Sequence, residues 1–339
     1  MAPTPVEKIR KILIIKPSAF GDIVHTLPVL AALKKKFPDA CIHWVVSRGL
    51  HTFLEDHPFI DRLWIFDRQR WKEPGRMLRS ALEVFRFWQG LRQEKFDVSI
   101  DLSGLLRSGL ITWAAGAKIR LGFENSDEGS AFFYNRKIHG DMSIHAVKRY
   151  LALAACLGCD PNEVKYPFAA YDENPPIMSE MPAEYAVMVP SAGKEANRWQ
   201  AERFGELASR FPFRTVLLGG KGDSGVIEKT VEHSGGMAVS LAGRTTLKEL
   251  IPVIGKAKFM VTNDTGPMHV AAALGVPVFA IFGPANPIRT GPFGDIHTII
   301  TKDMDCAPCY AWKPCENWRC MEGITIDEVY ESIRKKDLV

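Results

Sequence analysis

The sequence lacks the long apolar segments of membrane proteins and secretory precursors. No run of about 18 apolar residues, the length that a transmembrane helix needs, occurs in the 339-residue chain. The opening stretch, MAPTPVEKIRKILIIK, has an apolar run of only four residues, Ile12–Ile15, which is too short for a signal peptide. Seven cysteines are an odd number, so at least one is unpaired within the chain, which fits a reducing compartment. We therefore expect a cytoplasmic protein.

The sequence also has little net charge and no dinucleotide fingerprint. The formal net charge is +4, and no block of Lys and Arg is long enough for a basic tail, which argues against a nucleic-acid partner. A mild positive balance still suits an acidic substrate or an anionic membrane surface. The loop Pro17–Asp22 does not contain G-x-G-x-x-G, so the usual signature of an NAD site is missing.

The hydrophobic pattern predicts two rounds of alternating strands and helices, which is typical of doubly wound parallel sheets. The chain length also suggests two domains. We expect an N-terminal domain at 1–172, a proline-containing linker, a C-terminal domain at 183–325 and a final helix at 326–339. Strands are expected at Lys11–Lys16, Cys41–Val46, Arg62–Phe66 and Asp97–Leu102 in the first round, with the second round starting near Tyr185.

Two loops that follow predicted strands carry candidate functional residues. Asp22 follows the first strand, where loops at the carboxyl ends of strands line the ligand crevice of an open α/β sheet. A carboxylate there can deprotonate an attacking hydroxyl, or it can simply cap the following helix. The second loop is NDTGPMH, residues 263–269, in which Gly266 and Pro267 suit a helix start. Such a helix end can bind a diphosphate, or it can be only a capped helix.

Two further segments are open to more than one interpretation. The segment Pro190–Trp199 follows a strand, and its Lys194 and Arg198 can offset charge on a departing diphosphate or be solvated surface cations. The segment 68–92 interleaves seven basic residues with aromatic ones. It can lie near an anionic acceptor or lipid headgroups, or form an amphipathic helix whose arginines reach solvent.

Four cysteines lie close together near the C-terminus, in the pattern C-x2-C-x5-C-x4-C. They are Cys306, Cys309, Cys315 and Cys320. Their spacing does not match a common zinc ribbon. Reduced or packing thiols, a metal site and disulfides all remain open for them.

At this point the sequence resembles the ADP-heptose:lipopolysaccharide heptosyltransferases, glycosyltransferase family 9. The segment KILIIKPSAFGDIVHTLPVLAALKKKFPDACIHWVV is similar to the N-terminus of that family, and NDTGPMHVAAALGVPVFAIFGPANPIRTGPFG resembles its donor-binding region. The segments FDVSIDLSGLLRSGL, FFYNRKI and HAVKRY also match, so the resemblance covers most of the chain. The central segments and GDIVHTLP look more like heptosyltransferase I than II.

The resemblance implies a fold and a reaction. The fold is GT-B, with two Rossmann-like domains that face each other across a cleft, the first for the acceptor and the second for the nucleotide sugar. The reaction is inverting transfer from ADP-L-glycero-D-manno-heptose to a Kdo sugar of lipid A–inner core. The resemblance implies no cofactor and no catalytic metal. It also implies a position at the cytoplasmic face of the inner membrane, where peripheral contact is possible.

The resemblance also implies roles for individual residues. Asp22 matches the general base of the family. The expected donor contacts are Ser191, Lys194, Arg198, Asp223, Asp264, Thr265, Gly266 and His269, and the expected acceptor contacts are Lys16, Arg68, Arg70 and Arg107.

This chain departs from the family pattern at three positions. The family has a lysine where this chain has Asn197, and a proline where it has Gln200; Lys194 or Arg198 is then the candidate cation. Gln69 interrupts the basic cluster formed by Arg68 and Arg70. The rival hypotheses are a family member with another acceptor, as in heptosyltransferase II, a non-catalytic nucleotide-sugar-binding protein and a Rossmann oxidoreductase.

Overall fold

The computed structural model describes residues 9–67 and 77–339. These residues form two compact units, which divide between Ala170 and Tyr171. Each unit contains one six-stranded sheet in which every observed strand pair is parallel. The expected α/β class with two doubly wound units is therefore confirmed. No helix in the described ranges combines the length and apolar character needed to cross a membrane.

The first unit has the strand order β3-β2-β1-β4-β5-β6. Its central strand is buried along almost its whole length, as expected for a strand covered on both faces. The strands are β1 (Lys11–Ile15), β2 (Cys41–Ser47), β3 (Arg62–Phe66), β4 (Val98–Asp101), β5 (Ile119–Phe123) and β6 (Arg136–Ile138). The helices are α1 (Phe20–Lys36), α2 (Met77–Gln93), α3 (Leu106–Ala115) and α4 (Ala146–Ala155).

The second unit has the strand order β12-β11-β10-β7-β8-β9. Its strands are β7 (Tyr185–Val189), β8 (Arg214–Leu217), β9 (Ala238–Ser240), β10 (Met260–Asn263), β11 (Val278–Ile281) and β12 (Thr298–Ile300). The helices are α5 (Ala201–Ser209), α6 (Ser224–Glu232), α7 (Leu250–Gly255), α8 (Gly266–Ala273), α9 (Pro287–Thr290), α10 (Arg319–Glu322) and α11 (Ile326–Arg334).

The final helix α11 is part of the core of the second unit. Val329 and Ile333 are fully buried and belong to the same apolar cluster as Trp199, Phe204 and Phe279. Burying a side chain of this size stabilises the fold by about 1.5–3 kcal/mol.

Each sheet has one topological switch point, which is the place where the strand order reverses. The connections that leave the two strands on either side of this point run in opposite directions along the sheet. The switch point lies between β1 and β4 in the first unit and between β7 and β10 in the second. Because the helices that follow these strands diverge there, a crevice opens outside the carboxyl ends of the strands, and open α/β sheets bind ligands in such crevices. The candidate loops after β1, β7 and β10 therefore all lie at switch points.

Two local features differ from the sequence-based expectation. Helix α1 begins at Phe20, so Asp22 belongs to its first turn and not to the preceding loop. The outer strands β5, β6, β9 and β12 were not expected, because three of them are only three residues long and not fully buried. A hydrophobic-pattern argument has little signal in segments of that length.

Candidate active site

The first candidate group surrounds Asp22 at the switch point of the first unit. Asp22 occupies the third position of α1, and its Oδ2 accepts a hydrogen bond from the backbone N–H of Ala19 at 3.1 Å. The capping role that a carboxylate at a helix start can play is therefore present. The Asp22 side chain nevertheless remains 34% exposed, so its carboxylate can be reached by a ligand.

Asp22 also contacts two buried polar side chains from other elements. Lys16, the residue after β1, places its Nζ 3.3 Å from Asp22 Oδ2. Tyr150, on α4, donates its hydroxyl to Asp22 Oδ1 at 3.2 Å. Lys16 Nζ also donates to Tyr150 Oη and to the carbonyl oxygen of Leu102, both at 2.9 Å. The carboxylate is thus held by a helix-start amide, an ammonium and a phenol.

The register of the sheet explains why Lys16 reaches these partners. Ile15 of β1 pairs with Asp101 of β4, so the next residues, Lys16 and Leu102, lie side by side at the carboxyl edge. Lys16 is only 4% exposed, and its three N–H donors match the three oxygen partners described above. The expectation that Lys16 contacts the acceptor stays a prediction, and its ammonium already has three oxygen partners within the described residues.

The charges of Lys16 and Tyr150 follow from this arrangement. Burial acts to lower the pKa of Lys16, but the charge of Asp22 and the hydrogen bonds to Tyr150 and Asp22 outweigh it, so the pKa is raised. Burial first, and then the negative charge of Asp22, raises the pKa of Tyr150. At neutral pH the lysine is therefore a cation and the tyrosine a neutral hydrogen-bond donor.

The remaining acceptor candidates fall into two groups. Arg107 lies in the first turn of α3, which follows β4 at the same switch point. It is half-buried, and its guanidinium makes no ion pair or side-chain hydrogen bond within the described parts of the chain. It can therefore bind an anionic ligand. Arg68 and Arg70 lie outside the described residues.

In the second unit, a buried asparagine joins the two loops at the switch point. Asn263 ends β10 and is fully buried. Its Nδ2 donates to the carbonyl oxygen of Pro190 at 2.7 Å, and its Oδ1 accepts from the backbone N–H of Trp199 at 3.0 Å. These two bonds hold the loop after β7 against the loop after β10. No role was expected for Asn263 from the sequence, although a fully buried amide must satisfy both its donor and its acceptor groups.

The start of α8 is suited to an anion. Thr265 is its N-cap residue, but the threonine hydroxyl makes no capping hydrogen bond. Pro267 carries no N–H, so the donors at this end are the Thr265 hydroxyl and the amides of Thr265 and Gly266. These three residues are only partly buried. A negatively charged ligand here gains from the free donors and from the positive end of the helix dipole.

Asn197 lies beside this helix start and contacts its acidic neighbour. Its Nδ2 donates to Asp264 Oδ2 at 3.0 Å. Asn197 is 5% exposed, and its Oδ1 is buried without a hydrogen-bond donor in the described part of the protein. A buried carbonyl oxygen in this condition favours a ligand that brings a hydroxyl or N–H group. Asn197 thus brings a neutral amide, and not a cation, to the neighbourhood of this helix start.

The two candidate cations of this loop are held by groups without formal charge. Lys194 Nζ lies 4.7 Å from the centre of the Trp312 ring, and Arg198 Nε donates to the carbonyl oxygen of Ala192 at 2.9 Å. Neither forms an ion pair within the described residues. Both therefore keep their charge available to an anionic ligand.

Three more donor candidates take different positions. Ser191 is buried at the start of the loop after β7, and His269 is buried in α8. Asp223 lies in the loop between β8 and α6, where its Oδ2 accepts the backbone N–H of Gly220 at 2.7 Å. The carboxylate of Asp223 thus takes part in a hydrogen bond within a turn, although the residue remains partly exposed.

The segment that contains the four C-terminal cysteines, 306–320, contacts the loop after β7 and the loop after β11. The backbone N–H of Ala196, after β7, donates to the carbonyl oxygen of Trp312 at 3.2 Å, and the backbone N–H of Tyr310 donates to the carbonyl oxygen of Pro284, after β11. All seven thiols are free, and Cys320 is buried whereas the other three of the C-terminal group are exposed. No group of three or more metal-ligating side chains is placed to hold an ion in the described ranges.

Comparison with known proteins yields a consistent group of relatives. The model of glycosyltransferase family 9 (heptosyltransferase) matches residues 84–318. The chain is 30% identical over 306 residues to lipopolysaccharide heptosyltransferase 1 of Pseudomonas aeruginosa, a match that covers 88% of this chain and 86% of that protein.

Solved structures give the same result for the fold. The structure of the E. coli heptosyltransferase WaaC with ADP has a TM-score of 0.77 and 25% identity, and covers 96% of this chain and 99% of that one. The structure of the E. coli ADP-heptose lps heptosyltransferase II also has a TM-score of 0.77, with 22% identity and coverage of 96% and 98%. The second likeness concerns the fold alone.

Proposed function

The chain belongs to glycosyltransferase family 9, and from this premise we propose that it transfers heptose from ADP-L-glycero-D-manno-heptose to a Kdo sugar of the lipopolysaccharide inner core. The observation that carries the proposal is Asp22, a partly exposed carboxylate at the switch point of the first unit. It lies in the segment that resembles the family's catalytic loop. A relative that is 30% identical bears the name lipopolysaccharide heptosyltransferase 1.

The proposed donor site is the group of residues at the start of α8. The diphosphate of the donor lies at the amides of Thr265 and Gly266, with Lys194 or Arg198 as the added cation. This assignment is supported by the Thr265 hydroxyl, which makes no capping hydrogen bond, and by Lys194 and Arg198, neither of which forms an ion pair within the described residues. The E. coli heptosyltransferase solved with ADP supports ADP as the nucleotide.

The proposed reaction is a single displacement with inversion. The oxygen of an acceptor hydroxyl attacks the anomeric carbon of the heptose from the face opposite ADP. Asp22 takes the proton of that hydroxyl as the new glycosidic bond forms. The bond between the anomeric carbon and the diphosphate oxygen breaks, and its electron pair leaves with ADP. The α8 amides and the loop cation stabilise the charge that develops on ADP, and no metal takes part in this scheme.

The acceptor assignment is the finer part of the proposal. The Kdo sugar is an acid, and Arg107 is a cation at the same switch point as Asp22 with no carboxylate partner in the described residues. We propose Arg107 as an acceptor contact on this ground. The reaction would take place at the cytoplasmic face of the inner membrane, where the lipid part of the acceptor is anchored.

The main alternative is transfer to an acceptor that already carries heptose. The two E. coli structures, WaaC and heptosyltransferase II, have the same TM-score, so the fold does not separate the two steps. A non-catalytic nucleotide-sugar-binding protein is disfavoured by the partly exposed carboxylate of Asp22. An NAD-dependent oxidoreductase is disfavoured by the missing glycine fingerprint.

The test is a panel of acceptors incubated with ADP-heptose and the purified chain. Mass spectrometry follows the acceptor, and ADP release is measured in the same samples. The proposal expects a gain of one heptose on Kdo₂–lipid A and none on the acceptor that already carries one heptose. The reverse pattern would favour the second step. ADP release without any mass gain would mean that the donor is right and both acceptors are wrong.

A further inference from the structure

A buried cation and a buried phenol lie directly behind the proposed base, and neither has a role in the scheme above. Lys16 and Tyr150 come from different elements, the end of β1 and the middle of α4. They meet at a hydrogen-bond distance of 2.9 Å, and each also contacts one oxygen of Asp22. A lysine that is 96% buried is costly unless it is paired, so this arrangement calls for an explanation.

We infer that Lys16 and Tyr150 are positioning residues for Asp22, which hold its carboxylate ionised and in one orientation towards the acceptor hydroxyl. This inference rests on the proposed function, since it assumes that Asp22 is the base. Neither residue is expected to touch the sugar. Lys16 is enclosed by Leu102, Tyr150 and Asp22, and Tyr150 is 3% exposed.

The geometry fixes both oxygens of the carboxylate. Oδ2 is approached by the Ala19 amide and the Lys16 ammonium, and Oδ1 by the Tyr150 hydroxyl. Contacts to both oxygens prevent rotation of the group about its last bond. A base held in this way loses less entropy when the acceptor hydroxyl arrives, and small errors of position are costly in catalysis.

A purely structural role is the competing explanation. In that case Lys16 and Tyr150 only tie the end of β1 to α4 and the loop after β4, and their loss lowers stability without changing the chemistry. The two explanations differ in the pH dependence of the reaction. Both side chains favour the ionised form of Asp22, Lys16 by its charge and Tyr150 by its hydrogen bond. A positioning role therefore predicts that removal of either side chain moves the acid limb of the pH profile of kcat/KM.

The other groups that can influence this limb are unchanged by the variants. Arg149 lies with its guanidinium carbon 5.6 Å from the Tyr150 ring centre, and His25 on α1 packs against His145 at a ring distance of 5.0 Å. Lys16 and Tyr150 contact the carboxylate directly, Arg149 contacts the Tyr150 ring, and His25 lies three residues after Asp22 on α1.

The experiment compares Tyr150→Phe and Lys16→Met with the wild type over pH 4.5–9. Tyr150→Phe removes one donor to a charged group, and we expect the acid limb to move up by about one pH unit. Lys16→Met removes a neighbouring charge, and we expect a shift of about one to two units in the same direction. The KM for ADP-heptose is expected to stay the same in both variants, because the donor residues lie in the other unit.

The control is Tyr185→Phe, which also removes a buried hydroxyl. The Tyr185 hydroxyl donates to the carbonyl oxygen of Val253 at 2.8 Å. Tyr185 is the first residue of β7, whereas the proposed donor residues of this segment follow the other end of the strand. This variant should lower the denaturation midpoint without moving the acid limb. ADP binding and thermal melting show whether Lys16→Met is folded; Tyr150→Phe, which changes one atom, serves as the milder variant.

The outcomes separate the inference from the function on which it rests. Acid limbs that coincide with the wild type in both variants, with only a uniform loss of kcat, would overturn the inference. An unchanged turnover of Asp22→Asn in the same assay would instead overturn the assignment of the base. An inactive Asp22→Asn together with shifted limbs in the two other variants is the result that we expect.

Discussion

Two threonines of the second unit are N-cap residues of helices. The structure predicts opposite effects on stability and on ADP binding when each is replaced by alanine. Thr325 begins α11, and its hydroxyl accepts the backbone N–H of Glu328 at 3.2 Å. Thr265 begins α8, and its hydroxyl makes no capping bond. Replacing a threonine cap by alanine costs about 1 kcal/mol of stability. We therefore expect Thr325→Ala to lower the free energy of unfolding by about that amount, and Thr265→Ala by clearly less.

The effect on ADP binding is expected to be reversed. If the Thr265 hydroxyl donates to the diphosphate, its removal costs about 1.5–3 kcal/mol, the value of a hydrogen bond to a charged group. This corresponds to an ADP dissociation constant that is about 10- to 150-fold higher. Thr325 lies on a helix that packs into the apolar core of the second unit, so Thr325→Ala should leave ADP affinity unchanged.

Calorimetric titration with ADP and urea denaturation of both variants measure the two quantities. The reasoning predicts one variant with weak binding and near-normal stability, and one with normal binding and reduced stability. Thr265→Ala with wild-type ADP affinity would refute the assignment of the diphosphate to the start of α8. Equal losses of stability in the two variants would refute the claim that the Thr265 hydroxyl is available to a ligand.

Two further predictions concern residues beside these sites. Asn263→Ala should lower the free energy of unfolding by about 2–6 kcal/mol in urea denaturation, because it leaves the buried Pro190 carbonyl and Trp199 amide without partners, each worth about 1–3 kcal/mol. An effect below about 1 kcal/mol would contradict the proposed tie between the loops. Arg107→Ala should raise the KM for a Kdo acceptor roughly tenfold, because one charge-assisted hydrogen bond is lost, and should leave the KM for ADP-heptose unchanged. If steady-state kinetics show that the KM for ADP-heptose rises instead, Arg107 lies outside the acceptor site.

Much of the central sheet was predictable because its strands are short apolar runs between helices of clear periodicity. β1, β2 and β3 were expected within one residue of their observed ends. The edge strands β6, β9 and β12 were not, because strands of three residues carry little periodicity. Their pairing depends on neighbours that are distant in sequence.

The position of Asp22 was predictable, but the group behind it was not. A carboxylate after a buried first strand is a local signal, whereas the contact with Tyr150 joins residues 128 positions apart. One clue existed in the sequence. Tyr150 lies on the apolar face of α4 with Val147, Leu151 and Ala154, and a buried tyrosine hydroxyl usually needs a polar partner.

The role of Asn197 shows the limit of an argument from resemblance. The departure from a lysine was visible in the sequence, and it suggested that another cation takes over. The structure adds that Asn197 itself is buried, donates to Asp264 and has a carbonyl oxygen with no hydrogen-bond donor among the residues that the structure describes. Which side-chain atoms are satisfied depends on packing between the loops after β7 and β10, and the order of residues along the chain does not specify that packing.

The role of Asp22 is decided by single-turnover transfer of heptose to Kdo₂–lipid A by the wild type and Asp22→Asn, with ADP affinity determined for both. A general-base role predicts a heptose-sized mass gain with the wild type and a rate roughly 10²–10⁴ times lower with Asp22→Asn, at equal ADP affinity. Transfer by Asp22→Asn at the wild-type rate would contradict it.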